Sequence, residues 1–332
     1  MNANNEKNTQ AKYKAIDLFA GIGGIRLGFQ QAFGEDIEFV FSSEIDRYAQ
    51  QTYYANFGEL PHGDITKIDE KEIPPHDIIL AGFPCQAFSI AGHRRGFEDT
   101  RGTLFFEVAR IAAYHKPKII FLENVKGFVN HDKGNTFKVV KQTLENMGYR
   151  VFAKVLNAKD FGIPQNRERI YIVAFLNDTE FEFPEPLKKE VKVGDILEKQ
   201  EVSNKYYLSD TYVNTLKKHK ARHLEKGNGF GYQILKNDGI ANTLVVGGMG
   251  KERNLVYDNR LTDWTSKTNI KGSINKDYIR KLTPREWAKL QGFPDEFKIS
   301  VSDAQAYKQF GNSVCVPVVK HIAAEIIKKG KQ

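Results

Sequence analysis

DLFAGIGGIRLGF, residues 17–29, decides the fold, because it passes from an apolar run into a glycine-punctuated turn and then into a helical pattern. The reading is a strand over Ala15–Phe19, a turn holding Gly21, Gly23 and Gly24, and a helix over Ile25–Phe33. Glycines at such a turn let backbone approach a nucleotide-like ligand, and the helix start presents free N–H groups. Taken alone, the turn is equally well an ordinary structural feature. Outward from it, further strands are predicted at Phe39–Ser43, Asp77–Ala81, Ile119–Leu122, Val151–Leu156 and Ile170–Phe175. Helical patterns fall between them at Tyr48–Asn56, Leu104–His115 and Thr136–Met147. Buried parallel strands are short, continuous and apolar, as KIIFLE (118–123) and IYIVAF (170–175) are. Strands alternating with helices predict an α/β fold, a Rossmann-like, doubly wound, mostly parallel sheet.

The rhythm changes at FEFPEP, 181–186, and from there to about Asn275 the chain is richer in Lys, Gly, Asn and Thr, which marks a second module. Its helix-like stretch Leu208–Lys226 carries Lys217, Lys218, Lys220, Arg222 and Lys226, and glycine-rich segments follow at 227–232 (GNGFGY) and 245–254 (VVGGMGKERN). This is either a surface for phosphates or a solvated helix with ordinary loops. Downstream, Thr-Pro-Arg-Glu starts a helix near Thr283, with a capping residue, Pro at the first helical position and Glu close behind.

The 332 residues exceed one ordinary domain, and 41% apolar with 27% charged residues is a globular composition. Residues 1–12 are polar and read as neither signal peptide nor anchor, and no stretch reaches the roughly 18 consecutive apolar residues of a membrane span. Two cysteines, Cys85 and Cys315, are too few for a disulfide framework or a zinc site, which fits a reducing cytoplasm. A net charge of +8 favours a polyanionic partner.

SSEID, 42–46, places Glu44 about 20 residues beyond the glycine turn, where an acid can accept hydrogen bonds from both ribose hydroxyls. HGDIT, 62–66, offers Asp64 as an acceptor for an exocyclic adenine amine. These features do not separate a nicotinamide from an adenosyl cofactor. GFPCQAFS, 82–89, does: Cys85 follows Pro84 at the carboxyl end of an apolar strand, and a thiolate is the nucleophile needed at carbon 6 of a pyrimidine. A lone Cys is more often a small core residue, but a Gly/Pro-flanked turn is not an apolar stripe. FLENVKG, 121–127, ends another strand with Glu123, a candidate proton donor to a ring nitrogen or a plain solvated carboxylate. In QNRERIY, 165–171, strand alternation predicts Arg167 and Arg169 on one face, able to grip a carboxylate, a carbonyl oxygen or a phosphate.

DLFAGIGG, GFPCQ, LENV, QNRER and the closing AYKQFGNSV (306–314), in this order and across nearly the whole chain, resemble the bacterial DNA (cytosine-5)-methyltransferases. The resemblance implies a donor pocket for S-adenosyl-L-methionine, with S-adenosyl-L-homocysteine as product and no metal. Its residues would be Phe19, Gly21, Gly23, Gly24, Glu44, Ile45, Asp64, Ile65, Pro84, Leu104 and Asn312. It makes Cys85 the nucleophile and Glu123 the group that hydrogen-bonds or protonates ring nitrogen 3. Arg169 would contact the cytosine carbonyl oxygen, and Arg167 would support the site through its neighbours. Phe88–Arg101 is similar to a loop that closes over flipped DNA.

The domain division so implied is 1–188 with 302–332 for catalysis, 189–279 for target recognition, and 280–301 as the hinge between them. Gln86, Ser89, Arg94, Arg95, Arg101, Phe230, Thr243 and Arg253 are the implied DNA-facing residues. Some relatives have Trp where this chain has Ile45, and a relative's inserted serine is here Ala91, so Phe230 becomes the candidate to fill the emptied stack. GNGFGY, VVGGMGKERN and TNIKG (268–272) further resemble enzymes acting at CCGG. The implied partner is double-stranded DNA, met by a cytoplasmic monomer without membrane contact, with a cognate restriction endonuclease acting on the same site. Rival readings are an RNA or tRNA cytosine methyltransferase and a catalytically inactive DNA-binding protein.

Overall fold

The computed structural model describes residues 11–84, 104–266 and 272–329, which divide into two compact units. The first holds the described residues up to Leu156, then Glu168–Glu185 and the chain from Val318. It is built on six strands: β1 (Tyr13–Leu18), β2 (Ile37–Ser43), β3 (Ile78–Gly82), β4 (Ile119–Val125), β5 (Arg150–Asn157) and β7 (Glu168–Phe175), in the order β2-β1-β3-β4-β7-β5. The first four are parallel, and β7 is antiparallel to β4. Helices α1 (Gly24–Phe33), α2 (Arg47–Phe57), α3 (Leu104–His115) and α4 (Asn135–Asn146) lie between strands in the sequence, as crossovers between parallel strands require.

Period-two alternation assigns the strand residues to two buried faces. Ile16, Leu18, Ile79, Ala81, Ile120, Leu122, Ile170 and Ile172 form one core with Phe105, Val108 and Ile111 of α3 and Val140 and Leu144 of α4. On the other face Phe29 of α1 meets Phe121 edge-on, with centroids 5.1 Å apart, and Phe121 meets Tyr171. Helix α9 (Val316–Lys329) adds Val319, Ile322 and Ile326 to the buried set. The sheet therefore has apolar cover on both sides, and its polar business collects at the carboxyl ends of the strands.

The second unit is Asn157–Arg167 with Pro186–Pro317. It contains β6 (Gln165–Asn166), α5 (Val193–Ile196), α6 (Asp210–Glu225), β8 (Ala241–Asn242), β9 (Leu255–Tyr257), β10 (Ile279–Lys281), α7 (Pro284–Leu290) and α8 (Asp303–Asn312). One small core is Leu208, Val213, Leu216, Leu255 and Ile279, and a second is Val202, Tyr207, Leu261 and Ile274. The compact units run differently from the expected division: 157–167, 186–188 and 302–317 pack within the second unit instead of with the catalytic part, as does the expected hinge 280–301. The reasons are specific. β6 pairs with β8, and the fully buried Arg280 of β10 binds both Asp258 and Glu286, the latter closing the capping box of α7 with Thr283.

Candidate active site

The glycine turn carries unusual backbone. Phe19 has φ +53, a genuine outlier for a bulky residue, and is held there by the flanking bond from Ala20 N to Ser43 O, 2.9 Å. Gly21 has φ +55, and a Cβ at that position would meet no atom of the described residues within 4 Å, so its Cα faces open space among them. Gly23 has φ +81 and is constrained differently: a Cβ there would lie 2.2 Å from the Phe57 ring. Gly24 opens α1. Glu44, just past β2, ties the turn to the second strand: its Oε2 accepts from Gly21 N–H at 2.8 Å and its Oε1 from Asp46 N–H at 2.8 Å. An ionised carboxylate offers about four lone-pair sites, so both oxygens keep capacity for further donors. Beside it Ile45 is 72% exposed and Tyr48 is exposed as well, an uncovered apolar surface next to a hydrogen-bonding acid.

Asp64 caps a single turn, its Oδ1 accepting from Thr66 N–H and Thr66 Oγ1, and these two bonds hold its pKa below the ordinary carboxylate value. Ile65 is buried in the core rather than displayed. Leu104 begins α3, half-buried against the same core, and Pro84 is exposed just after the buried Phe83. Cys85, with Gln86, Ser89, Arg94, Arg95 and Arg101, lies outside the described residues.

The strand that leads toward Cys85 in the sequence is β3. Gly82 is in register with Glu123 on β4, and a Cβ on Gly82 would stand 3.6 Å from Glu123 Oε2. The next β4 residue, Asn124, is buried and donates from Nδ2 to Phe83 O at 2.9 Å. Glu123 pairs with Arg169 of β7, Oε1 to Nε 3.3 Å, with side chains only 12% and 13% exposed. Antiparallel register sets Val125 opposite Arg169 and Glu123 opposite Tyr171, so the pair is diagonal, within reach of long side chains. This unit therefore carries Phe19, Gly21, Gly23, Gly24, Glu44, Ile45, Asp64, Pro84, Glu123 and Arg169 on loops and strand ends on the side of the sheet where the parallel strands β1–β4 end.

Arg167 does not share a strand face with Arg169. The strand is interrupted at Arg167, between β6 and β7, and its buried guanidinium donates to three backbone carbonyls: Leu244 (2.9 Å), Gly311 (3.2 Å) and Ser313 (2.5 Å). Two flanking bonds turn it aside, from Arg167 N to Asn157 Oδ1 and from Ala158 N to Arg167 O. It is a tie within the second unit. Asn312 ends α8 and is exposed. Thr243 Oγ1 donates to Asn166 O, and Arg253 lies half-buried in a short turn. Phe230 is 45% exposed, edge-on to His219 and His223. Cys315 is buried, as its apolar surroundings predict.

Residue-by-residue reading missed Asn124 and Gln165. Gln165 is fully buried, giving Nε2 to Leu290 O (2.6 Å) and taking Leu244 N–H on Oε1 (2.9 Å). The available signal was an amide inside or beside an apolar strand, which must find partners when buried.

The family profile described as C-5 cytosine-specific DNA methylase matches residues 13–328. The type II methyltransferase M.HpaII of Haemophilus parainfluenzae is 60% identical over 97% of this chain and 91% of its own length. M.SsoII of Shigella sonnei is 51% identical (96% and 81% covered), and M.HhaI of Haemophilus parahaemolyticus is 46% identical (94% and 93%). In fold, the chain is similar to the Entamoeba histolytica methyltransferase EhMeth, with a TM-score of 0.75, 21% identity and coverage of 97% and 100%. The S. pombe Dnmt2 methyltransferase superposes with a TM-score of 0.73 at 20% identity, covering 95% and 98%. With the match running from the first strand to the last helix, the chain belongs to the C-5 cytosine-specific DNA methylase family and is a DNA (cytosine-5-)-methyltransferase.

Proposed function

We propose that this enzyme methylates a cytosine flipped out of duplex DNA within a short GC-rich palindrome, CCGG first, as the modification partner in a restriction-modification system. The observation that carries the chemistry is the shielded Glu123–Arg169 pair, in register with the strand end that runs into Cys85. Family membership makes DNA the substrate and S-adenosylmethionine the methyl donor.

The residues present suit that donor. Space in front of Gly21 that no described residue fills, a carboxylate at Glu44 with lone pairs to spare, and exposed apolar surface at Ile45 match a backbone approach, a ribose and an adenine face. Phe19, Gly23, Gly24, Asp64, Ile65, Pro84 and Leu104 complete the proposed pocket within this unit. When bound, the donor supplies an electrophilic methyl group and leaves as S-adenosylhomocysteine.

The chain's own residues do the rest. Cys85, as thiolate, adds to carbon 6 of the target ring, and Glu123 holds or gives a proton at ring nitrogen 3 so that negative charge does not accumulate there. Arg169 fixes the Glu123 carboxylate and offers its remaining N–H groups to the cytosine carbonyl oxygen. Carbon 5 then has enamine character and takes the methyl group. Loss of the carbon 5 proton to a water molecule re-forms the carbon 5–carbon 6 double bond and expels Cys85 as thiolate, while the proton at ring nitrogen 3 returns to Glu123. The base must leave the stack, since carbon 6 is covered on both faces inside the helix. No metal enters this scheme.

The recognition role falls to 189–279, with Phe230, Thr243 and Arg253 facing DNA alongside Gln86, Ser89, Arg94, Arg95 and Arg101. The glycine-rich segments 227–232 and 245–254 are the support for CCGG. The enzyme acts as a cytoplasmic monomer on one strand at a time, with an endonuclease of the same specificity as its counterpart. DNA methylated by the purified protein is challenged with restriction enzymes blocked at different sites. Protection at CCGG is expected, and cleavage there overturns the assignment.

A further inference from the structure

Arg26 is oddly placed. It lies in the first turn of α1, where a cation opposes the helix dipole, and it is 7% exposed, so it also bears a desolvation penalty. Its compensation comes from four directions. Nη1 donates to Tyr53 Oη and to Glu59 Oε2, each at 2.8 Å. The guanidinium also sits over the rings of Phe57 (4.5 Å), Phe39 (4.6 Å) and Tyr53 (5.2 Å). Ser42 Oγ of β2 donates to the other Glu59 oxygen at 2.6 Å, and the hydroxyl of the fully buried Tyr53 donates to Asp17 Oδ2 of β1 at 3.4 Å. The result is one chain of bonds, Asp17–Tyr53–Arg26–Glu59–Ser42, joining β1, α1, α2 and β2. Both ends stand next to the proposed donor pocket: Asp17 precedes the glycine turn, and Ser42 is two residues before Glu44. The rings of Phe57 and Tyr53 also press on Gly23.

We infer that Arg26, with Tyr53 and Glu59, is a positioning brace that sets the distance between the glycine turn and Glu44, and so tunes affinity for the methyl donor. This rests on the proposed donor pocket. The Gly21–Glu44 bond closes the gap on the ligand side, and the brace closes it from behind. Loss of the brace leaves the β1–β2 pairing and the Ala20–Ser43 bond in place but removes the side-chain support behind the turn, so the ligand must bear more of the cost of ordering Gly21 against Glu44.

The test uses the full chain carrying Tyr53→Phe, Arg26→Met, Arg26→Lys and, separately, Glu44→Ala. S-adenosylhomocysteine binding is measured by calorimetry without DNA, alongside KM for each substrate and kcat. Tyr53→Phe and Arg26→Met should raise the dissociation constant and the donor KM about tenfold, the scale of one lost bond to a charged group, with kcat and the KM for DNA little changed. Arg26→Lys should recover much of the affinity, because a single nitrogen makes both polar contacts. Unchanged donor affinity in folded Tyr53→Phe and Arg26→Met overturns the brace, and Tyr53→Phe decides alone should Arg26→Met not fold. If Glu44→Ala leaves affinity unchanged as well, the pocket assignment itself falls. If only Glu44→Ala loses affinity, the pocket stands and the brace does not.

Discussion

Gly21 and Gly23 both have positive φ, yet they should respond to alanine in opposite ways. At Gly21 the methyl group meets no atom of the described residues within 4 Å, so the cost to folding is that of the left-handed backbone, about 1–2 kcal/mol. At Gly23 the same strain is joined by a Cβ 2.2 Å from the Phe57 ring, and overpacking adds about 1–3 kcal/mol, for a total of roughly 2–5 kcal/mol. Urea unfolding of the two variants should separate them by that difference. Calorimetric titration with S-adenosylhomocysteine should rank at least one of them the other way for its size. Gly21→Ala puts its methyl where the ligand belongs and should weaken binding by tenfold or more, about 1.4 kcal/mol, despite its mild effect on folding. A Gly21→Ala protein that is only slightly destabilised and binds the donor product normally would refute the claim that this space is the donor's.

Cys85→Ala should abolish turnover while leaving DNA affinity within a few fold, and duplex bearing 5-fluorocytosine at the target should trap the wild-type protein covalently when the methyl donor is present; turnover by Cys85→Ala rules out the nucleophile. Arg169→Met removes one member of a shielded ion pair and should lower stability by about 1–3 kcal/mol, together with a large loss of kcat. Equal kcat in the folded variant contradicts its contact with the ring. His76 is 8% exposed, its Nε2 has no hydrogen-bond partner, and burial, reinforced by His115, pushes its pKa down to about 4. A depressed histidine stabilises the fold above its unfolded value near 6.5 and loses that contribution as pH falls toward 4, up to about 3 kcal/mol. His76→Leu should flatten the wild-type loss of stability over that window, and parallel pH curves for the two proteins exclude the effect.

Where period and punctuation coincide, elements were legible. The six strands and four crossover helices of the first unit fall within a few residues of their predicted places, because each strand is an apolar run bounded by turn residues and each helix repeats at 3.6. Thr283 and Glu286 announced α7 by a capping box that depends only on local geometry. Arg167 shows the opposite case. Alternation predicted a shared face with Arg169, but Asn157 and Ala158 bend the chain out of the strand at that residue, an influence from ten and nine positions away that no local period contains.

Chemistry-bearing residue types at the ends of apolar strands were decided locally: Glu44 after β2, Glu123 near the end of β4 and the glycines after β1 follow from chain order and side-chain alternation. What depended on packing was which groups meet. That Glu44 bonds to Gly21, that Arg169 crosses to Glu123 from an antiparallel neighbour, and that Arg26, Tyr53 and Glu59 link four elements are consequences of strand order. Hydrogen bonds and ion pairs act over a few ångströms between residues tens of positions apart, and only the folded sheet converts one kind of distance into the other.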